Sequence, residues 1–124
     1  MIRILVVDDH AIVREGLKQI LSDVDDISVL GEAANGQEAM DKIRRQRFDV
    51  ILMDISMPGR SGLEILKDIK TEQPKLPVLI LSMHPVEQYA VRALRAGAAG
   101  YMNKASAPDE LIGVIRKVSA GRKY

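Results

Sequence analysis

Short runs of consecutive apolar residues recur along the chain at intervals of roughly one strand-plus-helix unit. Five stand out: Ile2 to Val7, Ile27 to Ala33, Val50 to Met53, Val78 to Leu81, and Gly100 to Met102. The first, third and fourth are apolar on consecutive residues, which predicts strands covered on both faces of a parallel sheet. Ile27-Ser28-Val29-Leu30 partly alternates and suits a strand nearer an edge; the last run is the shortest.

Between these runs the apolar positions follow helical spacing. Val13, Leu17, Ile20 and Leu21 share one face, as do Ala39, Met40 and Ile43, then Leu63, Leu66 and Ile69. Val86, Ala90, Val91 and Leu94 form a fourth face ahead of Gly97, a C-cap candidate. Ser106-Ala107-Pro108-Asp109 resembles a capping box with proline in the first turn of a fifth helix. Leu111, Ile112, Ile115 and Val118 would form its buried face, and Gly121 would end it. Strands alternating with helices predict an α/β fold, a doubly wound (βα)₅ sandwich in which one parallel sheet lies between two helix layers.

With 124 residues, the chain matches a common size for one domain and can bury about two-thirds of its unfolded surface. Hydrophobic residues make up 47% and charged residues 28%, with a formal net charge of +1. That balance gives little electrostatic pull toward nucleic acid. Cysteine is absent, which excludes disulfides, thiolate metal sites and cysteine nucleophiles. No apolar run approaches the ~18–20 residues of a membrane span, and the first residues do not resemble a secretory signal. The expected location is the cytosol.

Polar residues interrupt the apolar pattern at one recurrent place, directly after a strand. Asp8 and Asp9 follow the first strand, Asp54 the third, Ser82 the fourth and Lys104 the fifth. The carboxyl ends of strands in an open α/β sheet share one edge, so these residues should converge on a single pocket. Two unit charges 4 Å apart repel by ~4 kcal/mol at an effective dielectric of 20, so three carboxylates there call for a cation. With few protein ligands and no cage-like loop, Mg²⁺ fits better than Ca²⁺. A carboxylate nucleophile, a metal ion, an ammonium and a hydroxyl together describe formation of an aspartyl phosphate on Asp54. The Pro58-Gly59 bend could turn a carbonyl, such as that of Ser56, toward the metal.

Asp8-Asp9, Asp54 with Met57-Pro58-Gly59, Ser82 and Lys104 resemble the signature of the receiver domains of two-component response regulators. The resemblance covers the whole chain and implies a CheY-like fold with strand order 2-1-3-4-5. It implies Asp54 as phosphoacceptor from a sensor histidine kinase, and Mg²⁺ held by Asp8, Asp9, Asp54 and the Ser56 carbonyl. Lys104 and Ser82 would bind the phosphoryl group, with Ser82 and Tyr101 as the switch pair. Asp8-Asp9-His10, Gly31-Glu32-Ala33, Leu81-Ser82-Met83, Arg95-Ala96-Gly97-Ala98 and the ending Ala120-Gly121-Arg122-Lys123-Tyr124 are similar to the NarL/FixJ type. That type implies a receiver over residues 1–124 followed, in a longer protein, by a LuxR-like helix-turn-helix domain that binds DNA. It also implies a possible homodimer and only weak self-directed catalysis.

Plainer readings compete. Asp8 or Asp9 alone is a common N-cap, Lys104 alone an ordinary surface lysine, and Ser82 a structural strand end. His10 reads as a solvent-facing residue at the start of the first helix, because Mg²⁺ prefers oxygen. Ser56 and His84 either tune water access to the phosphoryl group or are exposed loop residues. The cluster Lys42, Arg44, Arg45 and Arg47 reads as a solvated helix face. Arg116, Lys117, Arg122 and Lys123 read as surface and linker charges.

Two departures from the receiver pattern stand beside the lysine. Ala105 follows it where many receivers have a cis proline, and Asn103 precedes it in place of an apolar residue. A stand-alone receiver acting through protein contacts is the nearest alternative. A flavodoxin-like FMN protein would share the fold, but Asp8-Asp9 would repel its phosphate. A haloacid-dehalogenase phosphatase typically needs an aspartate where Ser56 stands.

Overall fold

The computed structural model describes residues 1–54, 62–82, 86–103 and 108–121, and for 86–90 the backbone alone. Elements alternate along the chain as β1 (Ile2–Val7), α1 (Ala11–Ser22), β2 (Ile27–Ala33), α2 (Gly36–Arg45) and β3 (Val50–Asp54). The second half continues with α3 (Gly62–Glu72), β4 (Val78–Ser82), α4 (Val86–Arg95), β5 (Gly100–Asn103) and α5 (Pro108–Ser119). The strands form one parallel sheet in the order β2-β1-β3-β4-β5. This is the CheY-like receiver topology, and the partly alternating β2 does lie at an edge.

Because side chains alternate across a strand, each central strand feeds two cores. Leu5, Val7, Ile51, Met53, Val78, Ile80 and Tyr101 pack with Ala39, Met40 and Ile43 of α2 and Ile65, Leu66 and Ile69 of α3. Ile4, Val6, Val50, Leu52, Leu79, Leu81 and Met102 pack with Leu21 of α1 and Leu111, Val114, Ile115 and Val118 of α5. At ~1.5–3 kcal/mol for each fully buried large aliphatic side chain, these two layers supply the main driving force for folding.

The α4 face differs from the periodic expectation. Val91 and Leu94 are 50% and 38% exposed, whereas Ala93 is fully buried in the core beneath α2, α3 and α4. A small residue at the contact lets α4 lie close to β5, and this rotates its larger side chains outward. The Val86 and Ala90 side chains lie outside the described residues. In α5, Val114 is buried and Ile112 only partly so, a one-position correction of the same kind.

The α4 terminus forms a Schellman motif. Ala98 N–H donates to Ala93 O at 2.9 Å and Gly97 N–H to Leu94 O at 3.1 Å, with Gly97 at φ +105°. Gly121, at φ +87°, occupies the corresponding place after α5. The β1–β2 register shifts between Ile4 and Leu5, so that Ile4 faces Val29 and Leu5 faces Gly31. Leu30 is the extra residue, and Gly31 admits Phe48 so closely that a Cβ there would lie 3.1 Å from the Phe48 ring.

Candidate phosphoryl-acceptor and metal site

β3, β4 and β5 each run one residue further than their apolar runs and end on Asp54, Ser82 and Asn103. Val7 faces Met53 across β1–β3, so Asp8 follows β1 at the level of Asp54. Asp54 faces Leu81, and Ser82 faces Asn103. The shared carboxyl edge thus collects Asp8, Asp9, Asp54 and Ser82, as the sequence pattern predicts. Asp8, Asp54 and Ser82 are buried, at 2%, 5% and 0% exposure.

Asp8, Asp9, His10 and Asp54 each offer one ligand atom, and all four atoms lie within 4.8 Å of one another. Asp8 Oδ1 accepts the His10 backbone N–H at 2.9 Å, which folds the chain into a tight turn after β1. The N-cap of α1 is His10, which makes no side-chain capping bond, so neither aspartate is used as an N-cap. Asp9 Oδ1 is buried and has no hydrogen bond among the described residues; His10 Nδ1 lies 3.0 Å away. His10 is 65% exposed, in keeping with the expected solvent-facing place. Its Nδ1 nevertheless turns to the acidic cluster, 3.2 Å from Asp8 Oδ1.

A buried carboxylate oxygen with no hydrogen bond among the described residues, beside two buried carboxylates, fits a hard divalent cation with oxygen ligands. Tyr101 lies in the core at 7% exposure, and its buried Oη has no hydrogen bond among the described residues. Ser56, His84, Lys104, the Lys104–Ala105 peptide and Ser106 lie outside the described residues.

Around this cluster the structure adds two residues that the periodicity did not single out. Arg14 Nη1 donates to the Asp8 carbonyl at 2.6 Å, and its Nε donates to Glu32 Oε1 at 3.2 Å. The available signal was slight: a charge on the inner side of α1 and an acid near the end of an edge strand. Glu32 is held below the ordinary carboxylate range, first by the hydrogen bond from Lys18, against burial, and then by Arg14.

The family model for the response regulator receiver domain matches residues 4–116. The chain belongs to that family. Its relatives include the response regulators UvrY of Escherichia coli K12, 41% identical, and GacA of Pseudomonas viridiflava, 42% identical; both match across all 124 residues. The receiver spans 57% and 58% of those two proteins, a little over half of their length. Among solved structures, a LuxR-family two-component response regulator from Aurantimonas sp. SI85-9A1 superposes with a TM-score of 0.93 at 38% identity. That match covers 98% of this chain and 86% of the other. The receiver is of the NarL/FixJ type and is a signalling protein. Among its described residues, no helix is long and apolar enough to cross a membrane.

Proposed function

We propose that this receiver takes a phosphoryl group from the phosphohistidine of a sensor kinase onto Asp54. Asp8, Asp9, Asp54 and the Ser56 carbonyl would hold Mg²⁺. The observation that carries this reading is the meeting of Asp8, Asp9 and Asp54 at one sheet edge, with the Asp9 Oδ1 buried and lacking a hydrogen bond among the described residues. When bound, Mg²⁺ offsets the charge of the carboxylates and of the transferring phosphoryl oxygens.

An Asp54 carboxylate oxygen attacks phosphorus as the P–N bond of the phosphohistidine breaks, and the imidazole nitrogen leaves with the electron pair. Lys104 supplies an ammonium and Ser82 a hydroxyl to the new phosphoryl oxygens. Phosphorylation replaces the single negative charge of the Asp54 carboxylate by roughly two on the acyl phosphate, a net gain of about one. Drawing Ser82 toward that group, with Tyr101 held inward, favours one side of an existing two-state equilibrium. Catalysis is confined to the receiver's own phosphorylation and slow dephosphorylation.

In the longer protein, residues 1–124 act as the receiver and control a helix-turn-helix domain, and so transcription, through dimerisation or release. The greater length of UvrY and GacA supports this arrangement. DNA is contacted through that second domain, and the site of action is the cytoplasm.

The deciding experiment is incubation with Mg²⁺ and a small-molecule phosphodonor, followed by intact-mass measurement and peptide mapping. One phosphoryl group on Asp54, absent from Asp54→Asn, is the expected result. Equal labelling of the variant, or none of the parent, would sink the proposal.

A further inference from the structure

We infer that Arg14, anchored by Glu32, is a positioning residue that sets the geometry of the Asp8–Asp9 turn and thereby its affinity for a divalent cation. The inference rests on the proposed reading of Asp8 and Asp9 as metal holders.

Both peptide groups flanking the Asp8 Cα are tied to the end of β2. The Asp8 N–H donates directly to Ala33 O at 3.0 Å. The Asp8 carbonyl accepts from Arg14 Nη1 at 2.6 Å, and Arg14 is itself held by Glu32. That carbonyl belongs to the planar peptide joining Asp8 to Asp9. Fixing the plane fixes the direction in which each aspartate leaves the backbone. Lys18 Nζ, 3.0 Å from the second Glu32 oxygen, restrains the acid from the far side.

The residue type suits this work. A guanidinium presents several donors in a rigid plane and can span a carbonyl and a carboxylate at once, which a single ammonium does poorly. The location also needs explaining. Arg14 is only 18% exposed, and it lies near the α1 N-terminus, where the helix dipole disfavours a cation. An arginine serving only solubility would have no reason to be turned inward there.

The test is a Mg²⁺ titration of the 124-residue chain followed by the NMR amide shifts of Asp8, Asp9 and His10, with thermal unfolding measured alongside. Loss of an outer-shell partner typically weakens metal binding about ten- to a hundredfold, and Arg14→Ala is expected to fall in that range. Arg14→Lys should recover only part of the loss, and Glu32→Gln should weaken binding to a lesser degree. Arg44→Gln, which breaks an ion pair with Glu72 exposed at 57% and 38%, should leave affinity unchanged.

Simple electrostatics predicts the opposite sign, because deleting a cation beside three carboxylates should tighten Mg²⁺ binding. Equal or tighter binding by folded Arg14→Ala therefore overturns the inference, as does an equal loss in Arg44→Gln. Should Arg14→Ala not fold, unchanged affinity in both Arg14→Lys and Glu32→Gln overturns it instead. If the parent chain shows no Mg²⁺-dependent shifts, the metal reading fails and this inference with it. Parent binding with unaffected variants removes this inference alone.

Discussion

Arg3 and Asp49 are joined by four hydrogen bonds, one of them from the Asp49 backbone N–H to the Arg3 carbonyl at 2.7 Å. The Arg3 backbone N–H and Nε both donate to Asp49 Oδ2, at 2.8 and 3.0 Å, and Nη2 donates to Oδ1 at 3.1 Å. The pair ties the start of β1 to the turn before β3, at the end of the sheet opposite Asp54. It aligns the two strands that carry the acidic residues, and it does so away from the chemistry.

This contact should make stability depend on acid. Hydrogen bonding from Arg3 holds the Asp49 carboxyl below its ordinary value of 3.8, against the opposing effect of burial. The unfolded chain therefore takes up this proton first as pH falls. The contribution is fully present above the ordinary carboxylate value and is lost as pH drops through the lower folded one. Thermal unfolding followed from about pH 6 down to about pH 2 should show a steeper loss in the parent chain than in Asp49→Asn. Parallel curves would mean that the pair adds nothing.

Removing charge from the acidic cluster should stabilise the metal-free receiver. Asp9→Asn relieves repulsion with Asp8 and Asp54, so its unfolding temperature without Mg²⁺ should rise. Added Mg²⁺ at tenfold excess over its Kd stabilises a binding-competent chain by about 1.4 kcal/mol, and Asp9→Asn should lose most of that gain. The check is a pair of thermal melts with Mg²⁺ and with chelator. A parent chain indifferent to Mg²⁺ contradicts the expectation.

The buried Tyr101 hydroxyl has no hydrogen bond among the described residues. Leaving such a group unpaired costs about 1–3 kcal/mol. Tyr101→Phe keeps the ring in its core position and should raise stability by about 1 kcal/mol in urea unfolding. A drop in the midpoint would show that the hydroxyl is satisfied in solution.

Gly97→Ala should destabilise the receiver by about 1–2 kcal/mol. The position has φ +105°, and a Cβ there would lie 3.2 Å from Lys70 Cγ. The Lys70 side chain is restrained because Nζ donates to Leu76 O at 2.9 Å. A lower urea midpoint with an unchanged slope is the expected signature.

Much of the architecture was legible because burial on both faces leaves a plain mark: Val50 to Met53 and Val78 to Leu81 have no other good use in a chain of this size. The acidic edge was legible for the complementary reason, since Asp8, Asp54 and Ser82 break those runs at their carboxyl ends. The rotation of α4 was less accessible. Val91 and Leu94 satisfy helical periodicity as well as Ala93 does, and only the close approach to β5 favours the small residue.

By itself, the sequence determined the alternation of strands and helices, the edge on which the polar residues gather and the chemistry available there. These follow from short-range pattern: which residues are apolar, at what period, and what ends each run. Only the tertiary structure decided that Arg14 reaches the Asp8 carbonyl and that Glu32 holds it. That contact depends on the β1–β2 register after the Leu30 bulge, which brings Glu32 level with Val6 and Ala33 level with Val7. A one-residue slip would turn Glu32 to the opposite face, because side chains alternate along a strand.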